Sequence, residues 1–256
     1  MINIHHLNCG ILHPPQMGRV ACHCLLLEED GHLALVDTGF GLQDVLDPLK
    51  RVGKDKIDFY NIQFDSRHTA VNQIADLGHV PANVDHCIIT HLDFDHIGGL
   101  ADFPYSTIHV AAEEYRSFSS GDSRYLQHQL GHRHKLQLYE KDLYEWFGME
   151  ARKLELPFSS PVYLIPLFGH TKGHCGVAIQ QNENWILHVG DAYYLEIELF
   201  STTHPASEVA SLSADDDGER QLSLRRLADL LTTNKFVKML SYHEPSFFNL
   251  AADTKE

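Results

Sequence analysis

Apolar and polar positions along the first part of the chain follow the spacing of short strands and helices. Residues 20–41 contain two β-rich runs, and the sequence at 29–32, Glu-Asp-Gly-His, is typical of a hairpin turn between them. Apolar residues at helical spacing predict helices over 42–52 and 69–78. A short apolar strand is predicted over 86–90, and a strand that continues into a helix is predicted over 106–118.

The later part of the chain returns to strands after a segment of different character. Residues 119–156 are polar and aromatic without a clear strand pattern, and we predict that they are helical. Residues 161–194 contain β runs separated by a polar turn at 181–184. An amphipathic helix is predicted over 219–232, and a last strand that ends in a loop is predicted within 235–245.

The order of these elements predicts the domain organisation. The sequence contains no internal repeat of fixed short period and no Pro-, Ser- or Gly-rich linker that would separate two domains. We therefore predict a single α/β domain over residues 1–256, with antiparallel and mixed strands and a helical insertion at about 112–156.

Charge and composition exclude several classes of partner. The formal net charge is −15, with 20 Lys and Arg against 35 Asp and Glu, so the chain lacks the basic excess that binds nucleic acid. No apolar run approaches the roughly 18 residues of a membrane span. The N-terminus lacks the features of a secretory signal, which predicts a cytoplasmic protein. The five cysteines are an odd number in mostly apolar contexts, and we expect buried free thiols.

Polar side chains of one chemical type recur at the ends of predicted strands. The stretch "THLDFDHIGGL" at 90–100 follows an apolar run and places two histidines and two aspartates within six positions. Three further polar positions follow later apolar runs in the same way. Strand ends gather at one edge of an α/β sheet, where such folds build their sites. Imidazole and carboxylate are ligands for zinc, manganese and iron. The candidate ligands are His91, Asp93, Asp95, His96, His170, Asp191 and His243.

Two simpler interpretations accompany this one. The stretch at 90–100 could be only a polar surface turn. The histidine-rich segment "QHQLGHRH" at 127–134 suggests an additional metal site, but a solvated helix face is the simpler interpretation.

The ordered pattern His-x-Asp-x-Asp-His, followed at wide spacing by His, Asp and His, resembles the metallo-β-lactamase superfamily. The resemblance extends from residue 1 to about 245 and includes Asp37, which matches an early strand-end aspartate that supports the site. It implies an αβ/βα sandwich of two mixed β-sheets flanked by helices, with two metal ions at one edge of the sheets.

The resemblance also implies a role for each candidate ligand. His91, Asp93 and His170 would hold one ion, Asp95, His96 and His243 would hold the other, and Asp191 would bridge them. The two ions would share a water and convert it to a bridging hydroxide near neutral pH. Asp95 and Tyr194 are the candidate catalytic side chains.

Asp93 departs from the family pattern, which usually has histidine at this position. A third aspartate makes the site one unit less positive than the two-aspartate version, and it adds a hard oxygen ligand. We expect two divalent ions, zinc first, with manganese or iron possible because of Asp93. Flavodiiron oxygen reductases of the superfamily carry a carboxylate here. In the alternative interpretation Asp93 does not reach the metal, and a single ion binds.

Tyr194 favours one activity within the superfamily. It follows Asp191 by three positions, as does a substrate-facing tyrosine in N-acyl homoserine lactone lactonases, although it could equally be a packing residue. The leading hypothesis is a dinuclear metal-dependent hydrolase of a small ester or lactone. The alternatives are a glyoxalase II-like thioesterase, a non-catalytic metal-binding protein, and a non-haem iron redox protein of the same fold. An oligomer is possible.

Overall fold

Two six-stranded sheets dominate the computed structural model, which describes residues 1–131, 135–142, 144–248 and 250. The first sheet has the strand order β1-β2-β3-β4-β5-β6, antiparallel from β1 to β3 and parallel from β3 to β6. Its strands are β1 (Asn3–Leu12), β2 (Val20–Glu29), β3 (His32–Val36), β4 (Val84–Ile88), β5 (Thr107–Ala111) and β6 (Lys135–Tyr139).

The second sheet has the strand order β12-β11-β10-β9-β8-β7. The pairing of β11 with β12 is parallel, and the other pairings are antiparallel. Its strands are β7 (Tyr144–Trp146), β8 (Met149–Lys153), β9 (Val162–Pro166), β10 (Cys175–Gln181), β11 (Asn184–His188) and β12 (Val237–Leu240).

Helices flank both sheets. They are α1 (Leu42–Leu46), α2 (Pro48–Arg51), α3 (Lys54–Tyr60), α4 (Ala70–Asp76), α5 (Phe94–Ile97), α6 (Ala112–Ser119), α7 (Pro205–Ser213) and α8 (Asp217–Thr233). The hairpin at 29–32, the strands and the helices predicted outside 119–156 are confirmed, with boundaries that differ by a few residues.

Side-chain alternation along the strands creates the layers. On β2, Leu25 and Leu27 enter the core between the sheets, while Cys24 and Leu26 pack in an outer core with Ile74 of α4. Successive residues of a strand point to opposite faces, so a strand buried on both faces is apolar throughout. β10 is also buried on both faces, one in the core between the sheets and the other against α8. The result is the αβ/βα sandwich of two mixed sheets that the sequence predicted.

The prediction of a helical insertion over 112–156 is wrong for most of its length. α6 is helical, but β6, β7 and β8 lie between residues 135 and 153. β6 and β7 are short edge strands with polar, solvent-facing positions, so the apolar alternation of a strand is weak there. Residues 132–134 lie outside the described residues, so the preference for a solvated helix face over an additional metal site at 127–134 stays a prediction.

The cysteine prediction is confirmed, because all five cysteines are free and buried. Within the described residues, no helix has the length and apolar character needed to cross a bilayer.

Hydrogen bonds beyond the strand ends bring the loops of both sheets to one edge. The amide of Asp37 donates to Ile88 O at 2.9 Å, and the amide of Cys175 donates to Thr90 O at 2.9 Å. The second bond joins the two sheets directly. The loop residues after β4, β9, β11 and β12 therefore share one rim of the sandwich.

Candidate metal centre

The stretch at 90–100 leaves β4 and turns at once into the short helix α5. Asp93 is the N-cap of α5, and its carbonyl accepts from the His96 amide at 3.0 Å. Gly99 allows the turn to pack against the loop after β3, since a Cβ at Gly99 would lie 2.6 Å from Thr38 O. The amide of Thr38 in turn donates to His96 O at 2.8 Å. These contacts hold the polar side chains of the stretch in the rim.

The first group of candidate ligands lies around His91 and His170. Asp93 Oδ2 is 3.3 Å from His91 Nε2 and 3.2 Å from His170 Nε2. Asp191 Oδ2 is 4.0 Å from His91 Nε2 and 3.6 Å from His170 Nε2. Donor atoms at these spacings can surround one ion with bonds of about 2.0–2.2 Å.

The second group consists of Asp95, His96 and His243. Asp95 Oδ2 lies 4.0 Å from His96 Nε2 and 3.6 Å from His243 Nε2. Asp191 Oδ1 is 3.4 Å from His96 Nε2, and Asp191 Oδ2 is 3.4 Å from His243 Nε2. Asp191 therefore contacts both groups, one carboxylate oxygen facing His96 and the other facing three histidines.

Several buried atoms of these groups have no hydrogen-bond partner in the protein. They are His91 Nε2, His96 Nε2 and Asp191 Oδ1, and also His170 Nδ1, whose ring faces the group through Nε2. Buried polar atoms are nearly always satisfied, so the first three, which lie at one point, require an explanation. Imidazole nitrogens and a carboxylate oxygen are the donors that divalent transition metals bind. The residues present fit two such ions.

The Nδ1 atoms of His91, His96 and His243 lie within hydrogen-bond distance of protein atoms, whereas His170 Nδ1 has no such partner among the described residues. His96 Nδ1 lies 2.9 Å from Asp37 Oδ2, and Asp37 also accepts from the Thr90 amide at 2.9 Å and the Thr90 hydroxyl at 2.7 Å. His243 Nδ1 donates to Ala21 O at 2.8 Å. A histidine that donates through Nδ1 leaves the Nε2 lone pair for a metal. Asp37 thus lies where a supporting carboxylate is needed.

His174 positions Asp191. The Asp191 amide donates to His174 Nε2 at 3.0 Å, and His174 Nδ1 donates to Leu167 O at 2.9 Å. Burial lowers the pKa of His174 to about 3, so the ring is neutral and can accept. Gly190 makes the approach possible, because its φ is +55° and a Cβ there would lie 2.6 Å from His174 Nε2.

Glu114 ties together two of the loops that carry ligands, and the sequence did not reveal it. Its buried carboxylate accepts from the Leu92 amide at 2.8 Å, beside His91, and from the Thr171 hydroxyl at 2.6 Å, beside His170. Burial raises its pKa to about 7. In the sequence it is the second residue of a Glu-Glu pair on a helix, which normally indicates a solvated face.

Arg124 is the second residue that the sequence did not reveal. Its Nε and Nη2 atoms donate to Asp93 Oδ1 and Oδ2, both at 2.6 Å, and Nη2 lies 2.8 Å from His170 Nε2. Arg124 Nη1 donates to Ser213 O at 2.7 Å. Although burial acts in the opposite direction, the charge of Arg124 holds the pKa of Asp93 well below its usual value. Asp93 is therefore an anion in contact with both a cation and two candidate ligands.

Tyr194 lies beside the second ligand group. Its ring centroid is 5.2 Å from that of His243 and 5.8 Å from that of His170. Its hydroxyl is 2.9 Å from Ser213 Oγ, and that Oγ donates its own proton to Val209 O at 2.6 Å. The Tyr194 hydroxyl is therefore the donor to Ser213.

Five of the candidate ligands line one part of a cavity of about 540 Å³: Asp93, Asp95, His170, Asp191 and His243. Arg124 and Tyr194 line it with them, and much of the remaining wall is apolar, from Leu12, Pro14, Met17, Val20, Phe59, Val209 and Leu212. A cavity with apolar walls and a few convergent polar groups is the usual form of a small-molecule site.

Curated relatives of the chain include hydrolases. A probable metallo-hydrolase of Mycobacterium tuberculosis is 42% identical over 198 residues, which are 75% of this chain and 63% of that protein. This chain thus aligns to less than two thirds of that relative's length. The N-acyl homoserine lactonase AttM of Agrobacterium fabrum is 33% identical over 91 residues, 36% of this chain and 34% of that protein.

Solved structures show the same fold. An N-acyl homoserine lactone hydrolase with the product N-hexanoyl-L-homoserine at its catalytic metal centre superposes with a TM-score of 0.74 at 20% identity, covering 96% of this chain and 94% of that one. The dizinc quorum-quenching lactonase AidC gives a TM-score of 0.65 at 16% identity, covering 95% and 88%. The sequence profile of the metallo-beta-lactamase superfamily matches residues 17–233. The chain belongs to the metallo-beta-lactamase superfamily.

Proposed function

We propose that this protein is a dinuclear metal-dependent hydrolase of small esters or lactones, with N-acyl lactones as the leading substrate class. The observation that carries the proposal is the position of Asp191 between two groups of histidine and carboxylate donors, at one part of a cavity with largely apolar walls. Such a site suits an uncharged substrate with an apolar acyl chain.

The ligand assignment follows the two groups. His91, Asp93 and His170 would hold one ion, Asp95, His96 and His243 the other, and Asp191 both. When bound, the ions would lower the pKa of a shared water towards neutrality and polarise a substrate carbonyl. Zinc is the first candidate, and manganese or iron would also suit a site that contains Asp93.

The side chains of the cavity would perform the remaining tasks. The apolar wall would bind the acyl chain and exclude water from it. Tyr194 would give up its hydrogen bond to Ser213. Its hydroxyl would instead donate a hydrogen bond to the carbonyl oxygen as negative charge develops there. Asp95, whose Oδ2 faces His96 and His243, would use its other carboxylate oxygen to accept a proton from the attacking water and to deliver it to the departing alcohol oxygen.

The relatives of the chain support this substrate class. One relative is a lactonase, and one structural neighbour holds an N-acyl homoserine product at its metal centre. The structural neighbours are too distant in sequence for their activity to be assigned to this chain. The proposed substrate class therefore rests on the shape and chemistry of the cavity.

The test is a substrate panel on tag-free protein reconstituted with zinc, manganese or iron. Release of acid would be followed with a pH indicator for N-hexanoyl homoserine lactone, a simple lactone, an open-chain ester and a thioester. We expect turnover of the lactones and the ester, and none from an Asp191→Asn variant.

Three other results would contradict the proposal. Preference for the thioester would favour the glyoxalase II-like alternative. Tight iron binding with oxygen consumption and no hydrolysis would indicate a redox protein. Metal binding without any turnover would indicate a non-catalytic protein.

A further inference from the structure

A third group of possible metal ligands lies outside the candidate metal centre. His5 of β1, Glu28 of β2 and His79 after α4 each offer a donor atom, and these atoms all lie within 4.8 Å of one another. Glu28 Oε2 is 3.5 Å from His5 Nε2 and 3.9 Å from His79 Nε2. None of the three residues belongs to the ligand groups described above or lines their cavity.

The register of the first sheet brings His5 and Glu28 together. His5 pairs with Leu26, so Glu28 is the diagonal neighbour on the same face. That face carries Leu7 and Leu26 into the outer core beneath α4. His5 and Glu28 therefore lie where the apolar packing of this face gives way to polar side chains.

The turn at the end of α4 places His79, the third candidate ligand, beside the first sheet. The amide of His79 donates to Ile74 O at 3.1 Å, and Gly78 between them has a φ of +87°. This left-handed glycine ends the helix and turns the chain back towards the sheet. The rings of His5 and His79 then meet edge to face, with centroids 5.6 Å apart.

The spacing of the donor atoms within the group is compatible with metal ligation. His5 Nε2 is buried and has no hydrogen-bond partner, although the Glu28 carboxylate lies near it. Donor atoms that share a tetrahedral ion through bonds of about 2.0–2.2 Å are about 3.4 Å apart. The side chains of His5, Glu28 and His79 are 30%, 28% and 22% exposed, so an ion and a water can reach them.

We propose that His5, Glu28 and His79 bind an additional transition-metal ion of the zinc class. Two histidines and one glutamate are a known zinc ligand set, with the fourth position open to water or another ligand. The ion would join the end of α4 to β1 and β2. At present α4 is tied to β1 by Gln73, whose side chain bonds the amide and carbonyl of Asn8 at 3.1 and 2.9 Å. The ion would add a second tie.

The experiment measures metal stoichiometry on tag-free protein already loaded at the candidate metal centre. Zinc is added in excess, unbound metal is removed by gel filtration, and metal per chain is measured by elemental analysis. Wild type is compared with His5→Gln and His79→Gln, and with His32→Gln, which changes an exposed histidine outside the group. We expect each of the first two variants to bind one ion fewer than wild type, and His32→Gln to match wild type.

A second measurement, the melting temperature, distinguishes loss of the metal site from misfolding of the variant. Excess zinc should raise the melting temperature of the loaded wild type further. This increment should disappear in His79→Gln. Without added zinc, the melting temperature of His79→Gln should stay close to that of wild type. Equal metal content in wild type and both variants would overturn the proposal. So would an unchanged zinc increment in His79→Gln. The comparison does not depend on hydrolysis, so it remains valid if the protein has no activity on lactones.

Discussion

Arg124 and Asp93 form a bidentate ion pair in which both nitrogen–oxygen distances are 2.6 Å. Asp93 is the position at which this chain departs from the usual histidine of its superfamily, and it adds one negative charge to the rim. Arg124 adds one positive charge beside it. The pair therefore returns the local charge to that of a site with two aspartates. A residue outside the motif compensates for the less positive site that the sequence predicted.

Asp93→His alone should be poorly tolerated, because it leaves the largely buried guanidinium of Arg124 without its main partner. Ser213 O and Asp215 still contact Arg124, so we expect a loss of about 2 kcal/mol in the free energy of unfolding, below the range for fully buried pairs. Asp93→His with Arg124→Met should recover much of this loss and should prefer zinc over manganese more strongly than wild type. Urea unfolding and metal competition measure both effects. A single variant as stable as the double variant would contradict this account of the pair.

Removal of metal should lower the melting temperature substantially. Asp93, Asp95 and Asp191 are drawn together in the rim, and ions that bind only the folded state stabilise it by mass action. An ion present at about 100 times its Kd contributes about 2.7 kcal/mol, so two ions should shift the melting temperature by roughly 10 °C or more. Differential scanning fluorimetry with EDTA, and with calcium-saturated EDTA as the control, measures the shift. Identical melting in both solutions would show that no stabilising ion binds.

Tyr194→Phe should reduce kcat for lactones about 10-fold, which is about 1.4 kcal/mol in the barrier. The effect should be larger on kcat than on KM, because the hydrogen bond strengthens as charge develops on the carbonyl oxygen. Ser213→Ala removes the present acceptor of the Tyr194 hydroxyl and should leave kcat at or above the wild-type value. Tyr193→Phe, at a buried tyrosine that does not line the cavity, is the matched control. Full activity in Tyr194→Phe would show that the Tyr194 hydroxyl has no part in catalysis.

Buried neutral histidines should make the fold sensitive to acid. His109 lies between His86 and Tyr139, with ring nitrogens 2.9 Å from His86 Nδ1 and 2.8 Å from the Tyr139 hydroxyl. Burial lowers its pKa to about 3 from a usual value of 6.5. Between these two pKa values, His109 therefore binds a proton in the unfolded chain but not in the folded chain. The stabilisation is complete above pH 6.5 and is lost as the pH falls towards 3.

The measurement is urea unfolding of wild type and His109→Gln at pH 6 and pH 5. Between these values the free energy of unfolding of wild type should fall by about 1 kcal/mol more than that of the variant. His32→Gln, at an exposed position, should follow wild type. Parallel pH dependences of wild type and His109→Gln would show that His109 does not carry this effect.

The sequence predicted the candidate ligands because of where they stand. His91, Asp191 and His243 each come directly after an apolar run, and strands buried on both faces are conspicuous in a sequence. Their convergence then follows from the common edge of the sheets. The predicted helix over 119–156 fails for the opposite reason, because short edge strands such as β6 and β7 keep too few buried positions to show a period.

Arg124 and Glu114 could not be found in this way. Arg124 is 31 positions from Asp93 and 89 from Ser213, while Glu114 is 22 from Leu92 and 57 from Thr171. Their partners are set by tertiary packing rather than by local spacing. Neither residue forms part of a pattern, and only the folded arrangement gives each of them a role.

The order of the strands has a consequence for assembly. The six strands of the first sheet all precede the six of the second, and the chain passes from one sheet to the other between Tyr139 and Tyr144. Both ligand groups take members from each side of this connection: His91 meets His170 and Asp191, while Asp95 and His96 meet His243. Protein cut at the connection would give two fragments, each with an entire sheet and neither with an entire ligand group. The fragments should complement each other, and uptake of metal would then report that they had recombined.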